Sequence, residues 1–261
     1  MELKKIKYSL TEDGFCFLPK IFLNKDVKNA RNGLWRIING KYKSGREPES
    51  RFWNPGDDPS SIIKIDKPHL SDQSVWNLIT NKKLGELLGK VTKSKFIQVW
   101  HSQVVWKPKS IKSSGNAGWH RDSQYWPFWG NDGLFTAWIA LSSVSVSSGP
   151  VRFIPGSNHW EDISGLDFFD KDLVSQEKIL EEKHGDIKVV SALLSAGQVS
   201  IHSSQTYHSS SANLDEAPRV GMVVHFCTDR ATREPVTGLN ATYLDQLNDA
   251  SISPVIYGGS P

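Results

Sequence analysis

The chain has few cysteines and no long apolar runs. Its 261 residues include only two cysteines, Cys16 and Cys227, which lie far apart in sequence. Such a pair excludes a disulfide framework or a zinc ribbon and favours a reducing compartment. No apolar stretch approaches the length of a membrane span, and the first residues contain no apolar signal-peptide core. We therefore expect a cytoplasmic protein that does not enter a membrane.

The sequence also lacks a block of like charge. Lysine and arginine total 31 against 28 aspartates and glutamates, which leaves a formal net charge of +3. The basic residues are scattered, so nucleic acid is excluded as a partner, and no dense basic patch is available for the phosphates of coenzyme A. A chain of this length can bury a sizeable core as one domain. The oligomeric state is left open.

Secondary-structure patterns divide the chain into a helical first part and a strand-rich second part. Asn24 is a predicted N-cap for a helix over residues 25–38, and Ser71 for a second helix that runs to about residue 88. A polar loop covers 41–61, a charged insertion 158–188, and an unpatterned tail 229–261. The predicted strands are 15–18, 96–106, 134–141, 151–154, 189–194, 198–202 and 220–227. This order predicts a mainly β fold with flanking α-helices, in which helices pack on a sandwich or barrel.

Aromatic residues are abundant, and three of the ten tryptophans lie in one segment. Residues 118–133 place His120 and Asp122 two positions apart, followed by Tyr125, Trp126 and two further aromatics. In an extended strand such a spacing puts both side chains on one face, where they can bind one metal ion. A third ligand would complete the two-histidine, one-carboxylate triad of non-haem Fe(II) oxygenases. A second such motif, His184-Gly-Asp186, lies in a charged stretch without strand character, and we interpret it as a chance match.

Three histidines downstream are candidates for the third ligand, namely His202, His208 and His225. We favour His208, at the end of a predicted strand, because Arg219 opens the next strand. A guanidinium there would pair with the far carboxylate of a 2-oxo acid that chelates the iron through its other end. His202 then reads as a buried strand histidine or a support for the ligands, and His225 as the core side of a strand.

Several short segments, taken in order, resemble the phytanoyl-CoA dioxygenase family of Fe(II)- and 2-oxoglutarate-dependent oxygenases. The matching pieces are Glu12-Asp-Gly-Phe-Cys-Phe-Leu-Pro, Trp106-Lys-Pro, Trp119-His-Arg-Asp, Trp138-Ile-Ala-Leu, Gly149-Pro-Val-Arg-Phe-Ile-Pro-Gly-Ser, and His208 with Arg219 eleven positions later. Each piece alone is weak, whereas their order and spacing are specific. The resemblance implies a double-stranded β-helix, a jelly roll of the cupin type. We expect a single domain over 1–261, with helical support over about 1–92, the jelly-roll core over about 93–228, and the tail after it.

The resemblance also implies roles for individual residues. His120, Asp122 and His208 would bind Fe(II), and Arg219 would hold the distal carboxylate of 2-oxoglutarate. The family's other co-substrate contacts correspond to Trp138, Gln103, Lys107 and Ser210. Gly221 departs from the pattern, because that position can carry a polar group that contacts co-substrate or substrate. Trp126, Tyr125 and Arg121 are candidate substrate contacts, chosen for their closeness to the metal motif.

The implied reaction is hydroxylation of a small polar metabolite by O2, with release of succinate and CO2. The substrate could be an amino acid derivative, an aminophosphonate or a natural-product intermediate. A carboxylate ligand favours hydroxylation over halogenation, because it fills the position that a halide would need. Two alternatives remain open: an inactive family member that binds a small ligand, and a cupin-like metal dioxygenase that uses no 2-oxo acid. Arg219 discriminates against the second, since its carboxylate partner would then be absent.

Overall fold

The computed structural model of the protein describes residues 2–259. The helices are α1 (Glu2–Glu12), α2 (Asn24–Ile38), α3 (Gln73–Ile79), α4 (Lys82–Thr92), α5 (Leu173–His184) and α6 (Leu239–Asp245). The strands are β1 (Phe15–Leu18), β2 (Ser50–Arg51), β3 (Ile63–Asp66), β4 (Ile97–Lys107), β5 (Ala117–His120), β6 (Leu134–Ala140), β7 (Val151–Phe153), β8 (Val190–Ser191), β9 (Val199–Ser203), β10 (His208–Ser210), β11 (Arg219–Thr228) and β12 (Val255–Tyr257).

Two antiparallel sheets form the framework, as the predicted jelly roll requires. The larger sheet has the order β1-β9-β6-β11-β4-β3-β2, and β12 pairs with β4 outside that path. The smaller sheet has the order β5-β10-β7-β8. Apolar side chains from both sheets, among them Phe15, Trp138, Phe153 and Val223, pack between them. The prediction of a mainly β, double-stranded β-helix fold is therefore confirmed.

The outer face of the larger sheet is covered by helices. Their apolar faces join the strand residues in one buried cluster that includes Leu34, Leu88, Ile65 and Val224. This packing follows from strands whose alternate side chains face opposite sides of the sheet. One side meets the helices, and the other side meets the smaller sheet.

Three predicted boundaries differ in the structure. The predicted helix from Ser71 is two helices, because the Asn81 side chain accepts a hydrogen bond from the Leu84 backbone N–H at 3.2 Å and caps a new start. The cap of α3 is Asp72 rather than Ser71. Asn24 is the first residue of α2, and Leu23 before it takes the N-cap position.

The larger sheet also extends beyond the predicted jelly-roll segment in both directions along the chain. Strands β1, β2 and β3 come from the N-terminal part, and β12 comes from the tail that showed no pattern. The tail packs closely: a Cβ on Gly85 of α4 would lie 2.0 Å from the Ile256 carbonyl oxygen. Among the described residues, no helix is long and apolar enough to cross a membrane.

Candidate active site

The structure brings His120, Asp122 and His208 together at one end of the smaller sheet. His120 ends β5 and His208 begins β10, and the two residues are cross-strand partners. Asp122 Oδ1 lies 3.9 Å from His120 Nε2 and 3.8 Å from His208 Nε2. Asp122 itself begins a short 3-10 turn rather than continuing the strand. Arg121 between them keeps an extended backbone, so the two side chains still reach one point.

Hydrogen bonds on the far side of each imidazole orient the two histidines. His120 Nδ1 lies 2.8 Å from the Gly118 carbonyl oxygen, and His208 Nδ1 lies 3.0 Å from the Thr206 carbonyl oxygen. A proton on each Nδ1 donates to that carbonyl, so each Nε2 is left with a free lone pair. Burial lowers the pKa of both histidines below its ordinary value, which favours neutral rings. Neutral imidazoles are the form that binds a metal ion.

Only one oxygen of the Asp122 carboxylate is free for a metal. Thr136 Oγ1 donates a hydrogen bond to Asp122 Oδ2 at 2.5 Å and lies 2.8 Å from His225 Nδ1. His202 Nε2 lies 3.1 Å from the same Oδ2. Burial alone would raise the pKa of Asp122, but the His208 and His202 imidazoles hold it well below its ordinary range. Oδ1 is therefore the metal-facing atom of an ionised carboxylate, and the donor set fits Fe(II).

A narrow inner compartment extends from the three ligands between the two sheets. Arg219, at the start of β11, lies at this compartment with 1% of its surface exposed. Burial lowers the pKa of Arg219 to about 9, which still leaves its guanidinium charged at neutral pH. Its Nε and Nη1 atoms are buried without a hydrogen-bond partner among the described residues. An unpaired buried guanidinium fits a bound carboxylate, because the pair restores the missing hydrogen bonds.

Trp138 explains the departure at Gly221. The guanidinium carbon of Arg219 lies 5.1 Å from the centre of the Trp138 ring. A Cβ on Gly221 would lie 2.2 Å from Cζ2 of the same ring. The indole therefore occupies the space that a side chain at position 221 would need. Trp138 and Gly221 together shape the wall beside the arginine.

Of the other three predicted co-substrate contacts, two line the inner compartment and one lies behind it. Ser210 and Gln103 line the inner compartment. Lys107 lies behind it: its Nζ donates to Ser210 Oγ and to the Ser211 carbonyl oxygen, each at 2.7 Å. Burial and the nearby Arg219 charge hold the pKa of Lys107 well below its ordinary value. Lys107 thus positions the end of β10 rather than facing the compartment.

A wider outer compartment opens on the other side of the metal ligands. Its free volume is about 400 Å³, against about 80 Å³ for the inner compartment. Its lining combines seven phenylalanine, tyrosine and tryptophan side chains with eight polar or charged ones and one leucine: Lys64, Asp66, Trp100, His101, Gln103, His120, Asp122, Tyr125, Trp126, Phe128, Phe168, Phe169, His225, Leu239, Asn240 and Tyr243. Trp126 is buried in this wall. Tyr125 lies at the rim, where its hydroxyl donates to Asp167 Oδ1 and accepts from the Phe168 N–H, both at 2.8 Å.

Arg121 lies outside both compartments, contrary to its predicted contact with substrate. Its guanidinium pairs with Asp162 at 2.6 Å and donates to the Ser157 carbonyl oxygen at 3.0 Å. It also packs over the Tyr207 ring at 4.3 Å. Because neighbouring residues of a strand point to opposite sides, Arg121 faces away from His120 and Asp122. It ties the insertion to the sheet.

Sequence reasoning missed most of the outer wall. Lys64 and Asp66 alternate with Ile63 and Ile65 in β3, a period-2 pattern that was readable but lay next to a polar loop. Leu239, Asn240 and Tyr243 come from α6 in the tail, where apolar residues are too sparse for a pattern. His225, expected on the core side of a strand, lines the outer compartment, as does His101.

Comparisons with known proteins agree with this geometry. The family model described as Phytanoyl-CoA dioxygenase (PhyH) matches residues 10–221. No curated protein sequence matches the chain significantly.

Solved structures with the same fold include oxygenase-related enzymes. The carbocyclase SnoK from nogalamycin biosynthesis, described as non-heme and alpha ketoglutarate dependent, has a TM-score of 0.74 and 20% identity and covers 97% of this chain and 96% of its own. The epimerase SnoN, in complex with Fe3+, alpha ketoglutarate and nogalamycin RO, has a TM-score of 0.67 and 21% identity, covering 90% and 86%. EctD from S. alaskensis, with 2-oxoglutarate and 5-hydroxyectoine, has a TM-score of 0.65 and 18% identity, covering 86% and 75%. At these identities the likeness establishes the fold.

Proposed function

Because this chain belongs to the phytanoyl-CoA dioxygenase family, we propose that it is an Fe(II)- and 2-oxoglutarate-dependent dioxygenase. Its substrate would be a small polar metabolite, hydroxylated at the expense of O2 with release of succinate and CO2. The reaction would take place in the cytoplasm, with which two buried, unpaired cysteines are compatible.

One observation carries the proposal, namely that the metal ligands and the unpaired arginine line the same narrow compartment. His120, Asp122 and His208 present three ligand atoms that lie within 4.8 Å of one another. Arg219 lines that compartment with buried N–H groups that lack partners. A dicarboxylic 2-oxo acid has the two matching ends, a chelating keto-carboxylate and a distal carboxylate. An inactive binding protein or a dioxygenase without a 2-oxo acid would need no such arginine.

Each group of residues has a separate task in the proposed reaction. His120, Asp122 and His208 would hold the iron, while Thr136 and His202 keep Asp122 bound through one oxygen. Arg219 would fix the distal carboxylate, and Trp138 would hold the guanidinium in place. Iron, 2-oxoglutarate and O2, when bound, supply the oxidising chemistry. The aromatic wall of the outer compartment would exclude water and orient the substrate carbon toward the metal.

Hydroxylation is the outcome that we propose among those that such a site supports. SnoN is an epimerase and SnoK a carbocyclase, so proteins with this fold differ in product. In this chain, Asp122 would bind the iron where a transferred halide would otherwise bind. The product must therefore be identified directly. Mass spectrometry of the product formed under 18O2 and under ordinary O2 shows whether an oxygen atom from O2 is incorporated.

The first test is anaerobic addition of Fe(II) and 2-oxoglutarate to the purified protein. We expect a weak visible charge-transfer band, which disappears in His120→Ala and weakens in Arg219→Ala. Succinate release on admitting air gives the second reading, and Lys90→Met, on the exposed surface of α4, serves as a control outside the compartments. An unchanged spectrum in the wild-type protein would contradict the proposed function.

A further inference from the structure

The outer compartment contains one cation that the proposed chemistry leaves unused. Lys64 lies on β3 and is the only lysine or arginine among the described residues that line this compartment. Its side chain is 15% exposed to solvent. Asp66 Oδ1 lies 3.7 Å from Lys64 Nζ, which is longer than a hydrogen bond. In the described part of the chain, the ammonium group thus lines the cavity with a loose ion pair to Asp66 as its only carboxylate contact.

The surroundings of Lys64 make this position costly unless a partner binds. Its Nζ lies 4.0 Å from the centre of the Phe52 ring and 5.8 Å from the centre of the Phe168 ring. Burial lowers the pKa of Lys64, although the charge of Asp66 opposes that shift. A partly buried charged group with only a loose ion pair is less well solvated than it would be in water. An anionic ligand group would restore that solvation.

Asp66 supports Lys64 without saturating it. The Ser50 hydroxyl donates to Asp66 Oδ2 at 3.0 Å, and His101 Nε2 lies 3.6 Å from Oδ1. Oδ1, the oxygen nearest Lys64, has no hydrogen-bond partner among the described residues, so the ion pair with Lys64 is loose and the ammonium can bind a second anion. Asp66 also limits what can bind, because a dianionic phosphoryl group on Lys64 would face this carboxylate. A carboxylate, with a single charge, meets less repulsion.

Lys64 is also close enough to the metal ligands to position a substrate for reaction. The Phe168 ring packs edge-on against the His120 ring with centroids 5.1 Å apart, and the same ring neighbours Lys64 Nζ. One aromatic ring therefore separates the ammonium from a metal ligand. A molecule held at Lys64 would place its nearby carbons along the wall that leads to the metal.

We infer that the substrate carries a carboxylate bound by Lys64 and an apolar or planar body that packs on the aromatic wall of the outer compartment. This inference rests on the proposed function and narrows its substrate class. It makes Lys64 a specificity-determining residue, distinct from Arg219, which serves the co-substrate.

The test compares three probes that share one body and differ in charge: phenylpropionate, phenylpropionamide and phenylpropylamine. Their binding is measured by ligand-observed NMR on the full chain loaded with Zn(II) in place of iron. Saturating 2-oxoglutarate keeps the acid from competing for Arg219. We expect the acid to bind about tenfold tighter than the amide, since a hydrogen bond to a charged group is stronger than a neutral one. The amine should bind weakest.

Variants assign the preference to Lys64. Lys64→Met should bring the acid and the amide to nearly equal affinity, whereas Lys90→Met, on exposed α4 surface, should leave the ratio unchanged. Asp66→Asn should keep or increase the preference for the acid. Equal binding of acid and amide in the wild type, absence of acid binding at millimolar concentrations, or preference for the amine would each overturn the inference. Survival of the acid preference in Lys64→Met would do the same.

Binding of 2-oxoglutarate in the same samples separates this inference from the proposed function. If the co-substrate fails to bind the metal-loaded wild type, the proposed function fails. If it binds but the probes show no dependence on charge, only the role of Lys64 fails. Retained 2-oxoglutarate binding by Lys64→Met also shows that this variant is folded.

Discussion

The inner and outer compartments share His120 and Asp122 but are built in different ways. The inner one is enclosed by residues on regular strands, with Arg219 on β11, Trp138 on β6 and Ser210 on β10. The outer one combines residues of β3, β4 and β11 with residues of the segment after β5, the insertion and the tail helix α6. Side chains on paired strands are held by the ladder on both sides, whereas loop and tail residues are free to vary. The inner compartment thus suits a co-substrate that does not change. The outer compartment suits a substrate that can differ from one protein of this fold to another.

The largest effect is expected from removal of Asp122, a metal ligand that lines both compartments. Asp122→Ala deletes the carboxylate ligand, and we expect metal affinity to fall by more than about 100-fold, beyond the loss typical of a supporting residue. Both the charge-transfer band and succinate release should disappear. Titration with Fe(II) under anaerobic conditions measures the affinity. Metal binding that survives unchanged would show that the ion sits elsewhere.

The next largest effect is expected from a substitution that changes only the inner compartment. Arg219→Met removes the charged partner of the distal carboxylate, and we expect the dissociation constant of 2-oxoglutarate to rise by about 10- to 100-fold. Metal affinity should stay within about twofold, because Arg219 touches no ligand. Arg219→Lys should recover only part of the loss, since an ammonium lacks the two-pronged geometry. A variant in which metal and co-substrate weaken together would contradict this division.

A smaller effect is expected from removal of the hydrogen bond that orients the Asp122 carboxylate. Thr136→Val removes the hydrogen bond to Asp122 Oδ2 while keeping the shape of the side chain, and we expect metal affinity to fall by about tenfold. Thr136→Ser keeps the hydroxyl and should restore most of it. The absorption of a bound Co(II) ion reports a change in coordination independently of turnover. Equal affinity in the valine and serine variants would mean that Thr136 only packs.

The smallest effect on the inner compartment should come from changes in the outer wall. Tyr243→Ala enlarges the outer compartment, and we expect the affinity for 2-oxoglutarate and metal to change by less than about twofold, in keeping with distant, independent sites. The set of accepted substrates should change instead, as measured by metabolite-stimulated succinate release. A large loss of 2-oxoglutarate affinity would show that the compartments are coupled.

The same division explains what the sequence alone could predict. His120, Asp122, His208 and Arg219 lie on or beside strands with clear alternation, so their spacing carried structural meaning. Asp122 nevertheless acts from a turn, and the direction of Arg121 followed from strand alternation that was not applied to it. The break between α3 and α4 depends on one capping asparagine inside a continuous apolar stripe. Such local competition between continuing a helix and starting another is hard to read from periodicity.

The outer wall was out of reach for a different reason. Tyr243 and Asn240 become cavity residues only because the tail folds back on the larger sheet through β12. That contact depends on close packing, such as Ile256 against Gly85, rather than on any pattern within the tail. Phe168 likewise reaches the cavity from an insertion rich in charge. Long-range packing of irregular segments leaves little periodic signal in sequence.

Lys67, directly after β3, has a consequence for redesign of the protein. Its backbone is left-handed at φ 48° and ψ 46°, and its buried Nζ donates to Glu49 of the 41–61 loop at 2.7 Å and to Gln246 of the tail. The same atom lies 4.9 Å from the centre of the Tyr243 ring. The 41–61 loop, which lies inside the family match, and the tail, which follows it, thus both contact one lysine. A design that replaces the tail must therefore replace the 41–61 loop as well. Otherwise the new tail helix would lose the contacts that Lys67 and Glu49 now provide.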